Sequence, residues 1–591
     1  MTLRSSLEEQ TGLSARELAA RAAAELDPLP PVLPPEGVTA CRVREAAGRV
    51  PNGAGVLHVA GVQGCAGSML VAAVAAAKGR PVVLVTSDLD AARRAADDAA
   101  FFVRNAPDEA TAEDTAQGDV LVLAANESSP YADVSPDRRA AMSRLATLFH
   151  LASGHPWKVL AVPAAGLARK MVPRKVVRAH SHRVIAEDEL DRDALIKALA
   201  EAGYLRVPVV EDPGSFAVRG ALLDVWPPSL DEPVRIEMYG ELVLSISPFD
   251  PFEQRTKKVA SPGAAPGEPQ TVDAKLKEVW LPPAREAVLT RETTARARDR
   301  IQQLADMIDL PTTRARALIE DVTAGRGFFG AEGMLPAYYE ELETLARYIP
   351  DDAVFVLDDP TAITKALREE LERATHDAEA KAGEAAFLPS TFYADEGEVV
   401  RDLAKRAVVA LHRTPVVGEE EAAAGSIAVY ENARDAIDLA TRDHADLERA
   451  VKSARASKGK TGALTPLARR IAHWQEHGLR VFLAARAQTQ AERLAALLGH
   501  QGVECHARLE RFDPAWLEGG AANGRTNVAE IVVGTLSHGA MFPADGLVLV
   551  TEEEVFGGRA HRKKERKKTD VARPFLEDLR TLAVGDYIVH V

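Results

Sequence analysis

The stretch of residues 56–76, VLHVAGVQGCAGSMLVAAVAA, constrains the fold of this chain more than any other part of the sequence. It reads as an apolar strand, a turn with glycine at positions 61, 64 and 67, and a helix of small residues. This order is the local layout of a phosphate-binding loop, in which backbone N–H groups at the start of the helix surround a phosphate. The sequence therefore predicts the core of a nucleotide-binding fold.

A working loop of the form G-x-x-x-x-G-K-[ST] also needs a lysine on the β- and γ-phosphates and a hydroxyl on Mg²⁺. Counted from Gly61, the second glycine is replaced by Ala66 and the lysine by Gly67, whereas Ser68 keeps the hydroxyl. The main countercharge for a triphosphate is therefore lost. We predict that this loop, together with Gly64, is a vestigial nucleotide site without ATPase activity.

The second half of such a site is an apolar strand that ends in two acidic residues, the first holding Mg²⁺. The strand AVFVLDDP offers Asp358 and Asp359, of which the second is one methylene shorter than the glutamate that orients water. A strand, a glycine turn and a helix can occur by chance, but both halves are found here in the expected order. This favours a vestigial NTPase core with no catalytic residue.

A second lysine-bearing sequence, SKGKTG, contains Gly459, Lys460 and Thr461. It follows a helical segment rather than a strand, so the strand–loop–helix context of a phosphate site is not met. We predict no phosphate binding there.

The 591 residues, 46% of them apolar, suffice for about four domains. A net charge of −15 leaves no chain-wide basic field for nucleic acid. Cys41, Cys65 and Cys505 are too few and too scattered for a disulfide framework or a zinc site, which fits a reducing compartment. The sequence has no signal-like N-terminus and no run of 18 apolar residues, so we expect a cytoplasmic protein with no membrane contact and no metal.

Alternating apolar β-branched runs and helix-length segments predict an α/β fold with an open parallel sheet. A mixed α+β unit with glycine and proline turns is expected as an insertion, and a second, small α/β domain follows later. The expected segments are 1–126 and 219–360 for the two parts of the first domain, 127–218 for the inserted α+β domain, 361–465 for a charged helical segment or insertion, 466–557 for the second α/β domain, 558–584 for a basic linker and helix, and 585–591 for the start of a further domain.

The end of the sequence carries two further features. The basic run GGRAHRKKERKK, residues 557–568, suits a solvated linker or a contact with nucleic acid, and the sequence leaves both open. The last residues, GDYIVHV, alternate like a first strand that needs a partner strand. We therefore expect the chain to be part of a longer protein.

Several motifs follow one another along the chain: the eroded loop, SFAVRGALLDVWP, SPFDPFEQRT, GFFGAEGMLPAYYEELETLARYIPDDAVFVLDDP and the C-terminal passage VTEEEVFGGRAHRKKERKK. In this order they resemble the N-terminal, UvrB-like half of the bacterial transcription-repair coupling factor, Mfd. The resemblance implies a degenerate P-loop NTPase-like domain with an inserted α+β domain that binds the repair protein UvrA. In this family, ATP, magnesium, RNA polymerase and DNA are bound by motor and polymerase-interacting domains further along the chain, so none of these ligands is expected of residues 1–591.

By motif position, the resemblance implies Arg219, Phe216, Gly220 and Lys170 as UvrA-binding residues. A lysine at 170 stands where other family members carry arginine, so a bidentate contact would become a point-charge contact. Arg219 also suits a structural ion pair with Asp224 or Glu211, and Phe216 also suits the core. Both alternatives stay open at the level of the sequence.

Two other function classes remain as alternatives. The chain resembles UvrB, a damaged-DNA-binding repair protein that has a lysine-bearing loop and an aromatic-rich hairpin. Here Gly67 stands in the lysine position, and no tyrosine-rich insertion follows Ser68. An active ATP-dependent translocase is the other alternative, and the altered loop argues against it. The preferred interpretation is a non-catalytic module that recruits UvrA to stalled RNA polymerase.

Overall fold

The computed structural model describes residues 29, 31–32, 40–103, 118–124, 129–132, 137–260, 271–326, 330–414, 435–456, 464–511 and 527–556. The SKGKTG sequence, the basic run and the final strand-like residues lie outside the described residues.

The strands are numbered in chain order. They are β1 (Gly55–Ala60), β2 (Val82–Thr86), β3 (Val120–Val122), β4 (Val159–Pro163), β5 (His182–Ile185), β6 (Leu205–Arg206), β7 (Ser215–Arg219), β8 (Leu222–Trp226), β9 (Val234–Tyr239), β10 (Leu242–Pro248), β11 (Lys258–Ala260), β12 (Thr271–Asp273), β13 (Glu278–Leu281), β14 (Val354–Asp358), β15 (Ala407–Leu411), β16 (Ile437–Asp438), β17 (Arg480–Ala485), β18 (Cys505–Arg511), β19 (Ala529–Val533), β20 (Ala540–Phe542) and β21 (Leu547–Thr551).

The α-helices are numbered in the same way. They are α1 (Val43–Gly48), α2 (Ala66–Lys78), α3 (Leu89–Val103), α4 (Arg138–Ser153), α5 (Ala165–Ala168), α6 (Arg174–Ala179), α7 (Arg192–Glu201), α8 (Arg291–Met307), α9 (Thr312–Ala324), α10 (Leu335–Tyr338), α11 (Pro360–Ala380), α12 (Pro389–Phe392), α13 (Glu396–Leu403), α14 (Ala445–Ala456), α15 (Thr465–Glu476), α16 (Gln488–Gly499) and α17 (Glu552–Phe556). Short 3₁₀ helices span Ala331–Met334 and Leu345–Arg347.

The first α/β body is built on a parallel sheet which, within the described residues, has seven strands in the order β16-β1-β15-β14-β2-β4-β3. Its central strands are continuous apolar runs because helices cover both faces of a parallel sheet. Strands β2, β4 and β15 are buried along their whole length. The predicted α/β class is confirmed, and Val59 and Val356 lie in one sheet, as the pairing of the two vestigial halves predicted.

The inserted body lies between β4 and β14 in the chain. Its main sheet has the order β10-β9-β8-β7-β6, and β13 pairs with β5 beside it. The predicted boundaries of 127 and 218 are wrong. The helix α4 and strand β4 still belong to the first body, because β4 pairs with β2 and β3. At the other end, β8, β9 and β10 continue the inserted sheet to residue 248.

The segment 361–465 is predicted to be a charged helical segment or insertion, and its described part does contain the helices α11, α12, α13 and α14. It is not an insertion. It contributes β15 and β16 to the sheet of the first body, where β15 lies between β1 and β14. The helices α11 and α13 precede β15, so the charged sequence belongs largely to the outer layer of this body.

The second α/β body follows residue 464, and its sheet has the order β18-β19-β17-β21-β20. It shares a hydrophobic core with the first body. Phe482 and Ala540 of the second body pack in one buried cluster with Val59, Leu70 and Leu411 of the first. The two bodies are therefore held together by apolar burial, the dominant favourable term in folding.

Helix ends follow local sequence. Asp137 caps α4 by accepting hydrogen bonds from the backbone N–H groups of Arg139 and Ala140. Gly79 ends α2 with a φ of 59°, a left-handed conformation that glycine adopts without steric cost. Among the residues that the structure describes, no helix has the length and apolar character needed to span a membrane.

Candidate functional site

The glycine turn between β1 and α2 has the backbone shape of a phosphate loop. Gly61 and Gly64 have φ angles of 65° and 54°. At Gly61 a side chain is excluded by the protein itself, because a Cβ atom would overlap the carboxylate of Asp438 and lie 2.9 Å from the backbone nitrogen of Ala440. Close packing against the end of β16 is therefore sufficient to require glycine at this position.

Backbone N–H groups of the turn already have partners within the protein. The N–H of Val62 donates to the carbonyl oxygen of His412 over 3.1 Å, and the N–H of Gln63 donates to the hydroxyl of Thr441 over 2.9 Å. The same hydroxyl donates to the carbonyl oxygen of Gly61 at 2.6 Å. These groups are thus used to fix the loop rather than left to bind a phosphate.

The second α/β body packs directly on the turn at Gly64. A Cβ atom on Gly64 would overlap the carbonyl oxygen of Gly539, and it would lie 2.9 Å from the carbonyl carbon of that residue and 3.2 Å from the Cβ atom of Ala540. Gly539 and Ala540 stand at the start of β20. The loop is therefore covered by the second body on this side.

The residues that replace the lysine motif are close-packed at the start of α2. Ala66 is fully buried and Ser68 is 8% exposed. Gly67 stands in the lysine position, where a Cβ atom would lie 3.2 Å from the side chain of Leu411. The helix start is thus packed against β15.

The two acidic residues at the end of β14 have different surroundings. Burial raises the pKa of Asp358, and nearby Arg413 lowers it by a smaller amount. Asp359 adopts a left-handed backbone conformation and caps α11, accepting a hydrogen bond from the N–H of Ala362 at 3.1 Å. Of these two residues, Asp358 lines the cavity beside the turn, whereas Asp359 does not.

A cavity of about 420 Å³ lies between the turn and the second α/β body. Its lining contains Gly64, Gly67, Ser68 and Asp358, so the structure brings together these four of the seven predicted site residues. Among the described residues, the cavity also contains more carboxylates than arginines, and these groups are Asp98, Asp358, Asp443, Glu448, Glu554, Arg94 and Arg413. This charge balance disfavours a triphosphate.

Burial shifts the pKa of two titratable groups beside the turn toward the neutral form. Burial raises the pKa of Asp98 to about 7, against hydrogen bonds from Ser537 that lower it. Burial, with a smaller contribution from the neighbouring His58 ring, lowers the pKa of His412 to about 4. At pH 7 His412 therefore supplies no positive charge in place of the lost lysine.

The second candidate site is the hairpin of β7 and β8 in the inserted body. Gly220 is at its tip, with a φ of 60° and open space around it. Arg219 forms an ion pair with Asp224, which is fully buried and also accepts hydrogen bonds from Arg235 at 2.7 and 3.0 Å. The side chain of Arg219 is still 39% exposed, and it lies 3.2 Å from the amide oxygen of Gln254.

Phe216 is not an exposed anchor. Its side chain is 1% exposed and packs in the core of the inserted body with Leu199 and Leu223. Of the two roles that the sequence left open for Phe216, the core role is therefore the correct one, because the start of β7 is covered on both faces.

Lys170 lies on the first body. Its ammonium group donates to the carbonyl oxygen of Ser390 at 2.9 Å, and its backbone N–H donates to that of Phe392 at 2.7 Å. Among the predicted partner-binding residues, the structure thus brings together Arg219 and Gly220 on one hairpin, with Phe216 beneath them and Lys170 in another body.

Comparison with known proteins supports the same division of the chain. The sequence model of the UvrB interaction domain matches residues 183–262, which fall in the inserted body. The transcription-repair-coupling factor of Myxococcus xanthus is 34% identical over 544 residues, 90% of this chain. The chain is related to the transcription-repair-coupling factors. The protein of the same name from Bacillus subtilis is 24% identical over 546 residues, and that from Staphylococcus aureus (strain MSSA476) is 22% identical over 461 residues.

The chain spans about two fifths of the length of the coupling factors that it matches, 41% of the Myxococcus and Bacillus proteins and 35% of the Staphylococcus protein. The predicted resemblance to this family is confirmed, and both findings connect the chain with proteins of transcription-coupled DNA repair.

Several residues that shape the two sites were not predicted from the sequence. Arg235 shares Asp224 with Arg219, and Thr441 and Gly539 hold or cover the turn. The register of β8 against β9 places Asp224 opposite Arg235, and this pairing carries no local sequence signal. The three glutamates after β21 begin α17, and Glu554 is buried.

Proposed function

We propose that this chain is the part of a transcription-repair coupling factor that recruits the nucleotide-excision-repair protein UvrA, and that it does so through the inserted body. The observation that carries the proposal is the match of the UvrB interaction domain to residues 183–262, whose described part contains the five-stranded sheet β10-β9-β8-β7-β6 with an exposed hairpin. The remainder of the chain would act as a scaffold without catalysis of its own.

The hairpin has the features of an anchored protein contact. Arginine is enriched among the residues that dominate binding energy at interfaces. The guanidinium group of Arg219 is held in place by a fully buried carboxylate, Asp224, and is still accessible to a partner. A side chain that is already ordered loses less conformational entropy on binding than a mobile one.

The vestigial turn supports a non-catalytic role. Gly67 provides no ammonium group, the N–H groups of Val62 and Gln63 are bonded within the protein, and the second body covers Gly64. We propose that this chain uses neither ATP nor magnesium at this turn. By the family resemblance, RNA polymerase and DNA would be bound by parts of the full-length relatives beyond the matched region.

The decisive experiment is a titration of UvrA into the full chain, with the variants Arg219→Ala and Arg183→Ala. Losing an interface anchor typically costs about 2 kcal/mol, or roughly thirtyfold in affinity. We expect Arg219→Ala to weaken UvrA binding at least tenfold, on the order of 1.4 kcal/mol, and more strongly at low salt, where charge contacts count most.

Arg183 is the matched control because it is also ion-paired, with Glu278, and its side chain is 46% exposed against 39% for Arg219. Arg183→Ala should leave UvrA affinity unchanged. Arg219→Ala should also leave the fold intact, since Arg235 still pairs with Asp224. Equal loss of UvrA affinity in both variants, or no loss in either, would contradict the assignment of the contact to the hairpin. If the wild-type chain bound no UvrA, the proposed function itself would be contradicted.

Nucleotide binding is tested separately by calorimetry with ATP and magnesium. We expect no hydrolysis and at most millimolar affinity. Micromolar affinity at the turn would instead support the alternative of an active ATP-dependent translocase, and binding specific to damaged DNA would support the UvrB-like alternative.

A further inference from the structure

Three side chains with metal-ligating atoms meet at the edge of the cavity beside the turn. They are Glu448 on α14, His538 in the loop between β19 and β20, and Glu554 on α17. One ligand atom from each lies within 4.8 Å of the other two. Three separate elements thus bring an imidazole and two carboxylates to one point.

The carboxylate of Glu554 is held rigidly. It is 5% exposed, and its two oxygens accept hydrogen bonds of 2.8 Å from the backbone N–H groups of Gly539 and Thr551. A Cβ atom on Gly539 would lie 2.7 Å from this carboxylate, so the absence of a side chain there lets the loop approach Glu554. The close approach places the preceding residue, His538, beside the buried carboxylate.

The other two groups are more accessible. His538 is exposed, and no hydrogen bond to its ring occurs within the described part of the chain. Glu448 is half-buried, and one of its carboxylate oxygens accepts a hydrogen bond of 3.2 Å from the ammonium group of Lys452. Among the contacts of Glu448 that the structure describes, this ammonium group is the one cation, and it would compete with a metal ion for the carboxylate.

We propose that Glu448, His538 and Glu554 bind a divalent transition-metal ion, with Zn²⁺ as the ion that fits the donor set best. Imidazole nitrogen and carboxylate oxygen are usual zinc ligands at about 2.0–2.2 Å, and a site with three protein ligands keeps its fourth position for water. Ligand atoms around tetrahedral zinc lie about 3.4 Å apart by that bond length. To bind the ion, the ligand atoms would have to approach one another by at most roughly 1.4 Å, through rotation of the accessible side chains of His538 and Glu448.

The bound ion would join α14 and α17 to the loop whose next residue, Gly539, packs on Gly64 of the first body. Metal binding and docking of the second α/β body would thus stabilise each other, because a ligand that binds only the folded arrangement stabilises it. This inference does not depend on UvrA recruitment.

The test is Zn²⁺ binding to the metal-free full chain, measured by calorimetry and by native mass spectrometry. We expect one equivalent to bind, at least tenfold weaker binding in His538→Ala and in Glu448→Gln, and tighter binding in Lys452→Ala, which removes the competing ammonium group. His538→Ala changes an exposed side chain, so circular dichroism should show an unchanged fold.

A second histidine pair provides the control. His473 and His477 stand one turn apart on and just after α15, with ring centroids 4.5 Å apart, and such a pair binds Zn²⁺ on its own at high concentration. His477→Ala should leave the proposed equivalent in place. If His477→Ala removes the bound Zn²⁺ while His538→Ala retains it, or if the chain binds no Zn²⁺, the proposed site is wrong.

Discussion

Replacing Gly64 by alanine should loosen the contact between the first and second α/β bodies. Gly64 has a φ of 54°, and a Cβ atom there would lie 2.9 Å from the carbonyl carbon of Gly539, where an ordinary contact is 3.4 Å or more. The two backbones must therefore separate by more than about 0.5 Å, because the Cβ atom also overlaps the carbonyl oxygen of Gly539. A gap of about 0.5 Å already forfeits a quarter of the dispersion energy of the contacting atoms.

Two costs add in Gly64→Ala. The left-handed backbone costs an alanine about 1 kcal/mol, and overpacking a close contact typically costs about 1–3 kcal/mol more. The matched control is Gly79→Ala, because Gly79 has a φ of 59° in the same body but has nothing within 4 Å of a Cβ atom. Gly79→Ala should lower the free energy of unfolding only by the cost of the left-handed backbone, about 1 kcal/mol.

The assay is chemical unfolding of both variants, combined with limited proteolysis of the native chains. Gly64→Ala should be destabilised by about 2–4 kcal/mol, the sum of the two terms, and its second α/β body should be cleaved faster. Its affinity for UvrA should be unchanged, since the hairpin belongs to the inserted body. Equal destabilisation of Gly64→Ala and Gly79→Ala would refute the claim that the second body packs on the turn.

Two further predictions concern buried groups. Because the pKa of Asp98 is about 7 in the folded state against 3.8 as its ordinary value, the folded state binds more protons between these pH values, and stability falls as pH rises through that window. Asp98→Asn should therefore stabilise the chain at pH 8, by on the order of 4 kcal/mol at most, with little effect near pH 4; equal destabilisation at both pH values in thermal unfolding would contradict this. Phe216→Ala should destabilise the inserted body by about 3–5 kcal/mol, and UvrA affinity at a temperature where the variant is folded should change far less than in Arg219→Ala; a specific loss of affinity without a loss of stability would restore Phe216 as an anchor.

The first sheet was largely predictable because its strands are continuous apolar runs. The vestigial site predicts that β14 and β1 belong to one sheet. They do, and one strand, β15, lies between them. Strand β4 was missed as a member of this sheet, since a five-residue apolar run after a long helix does not show which sheet it joins. Strand β16 has two residues, too few for any periodicity.

The sites were predictable only as far as local sequence reaches. The loss of the lysine at Gly67 is visible directly, and so is the arginine–glycine tip of the hairpin. The burial of Phe216 depends on which elements cover β7, and the packing of Gly539 on Gly64 joins residues more than 470 positions apart in the numbering. Such contacts follow from tertiary packing and not from any local pattern.

Hydrogen exchange of the full chain, measured with and without UvrA, tests the recruiting role most directly. We expect slower exchange on UvrA addition in the hairpin formed by Ser215–Arg219 and Leu222–Trp226, with unchanged exchange at residues 61–68. Unchanged exchange in the hairpin under saturating UvrA, with protection elsewhere in the chain, would contradict the proposed recruitment through the hairpin.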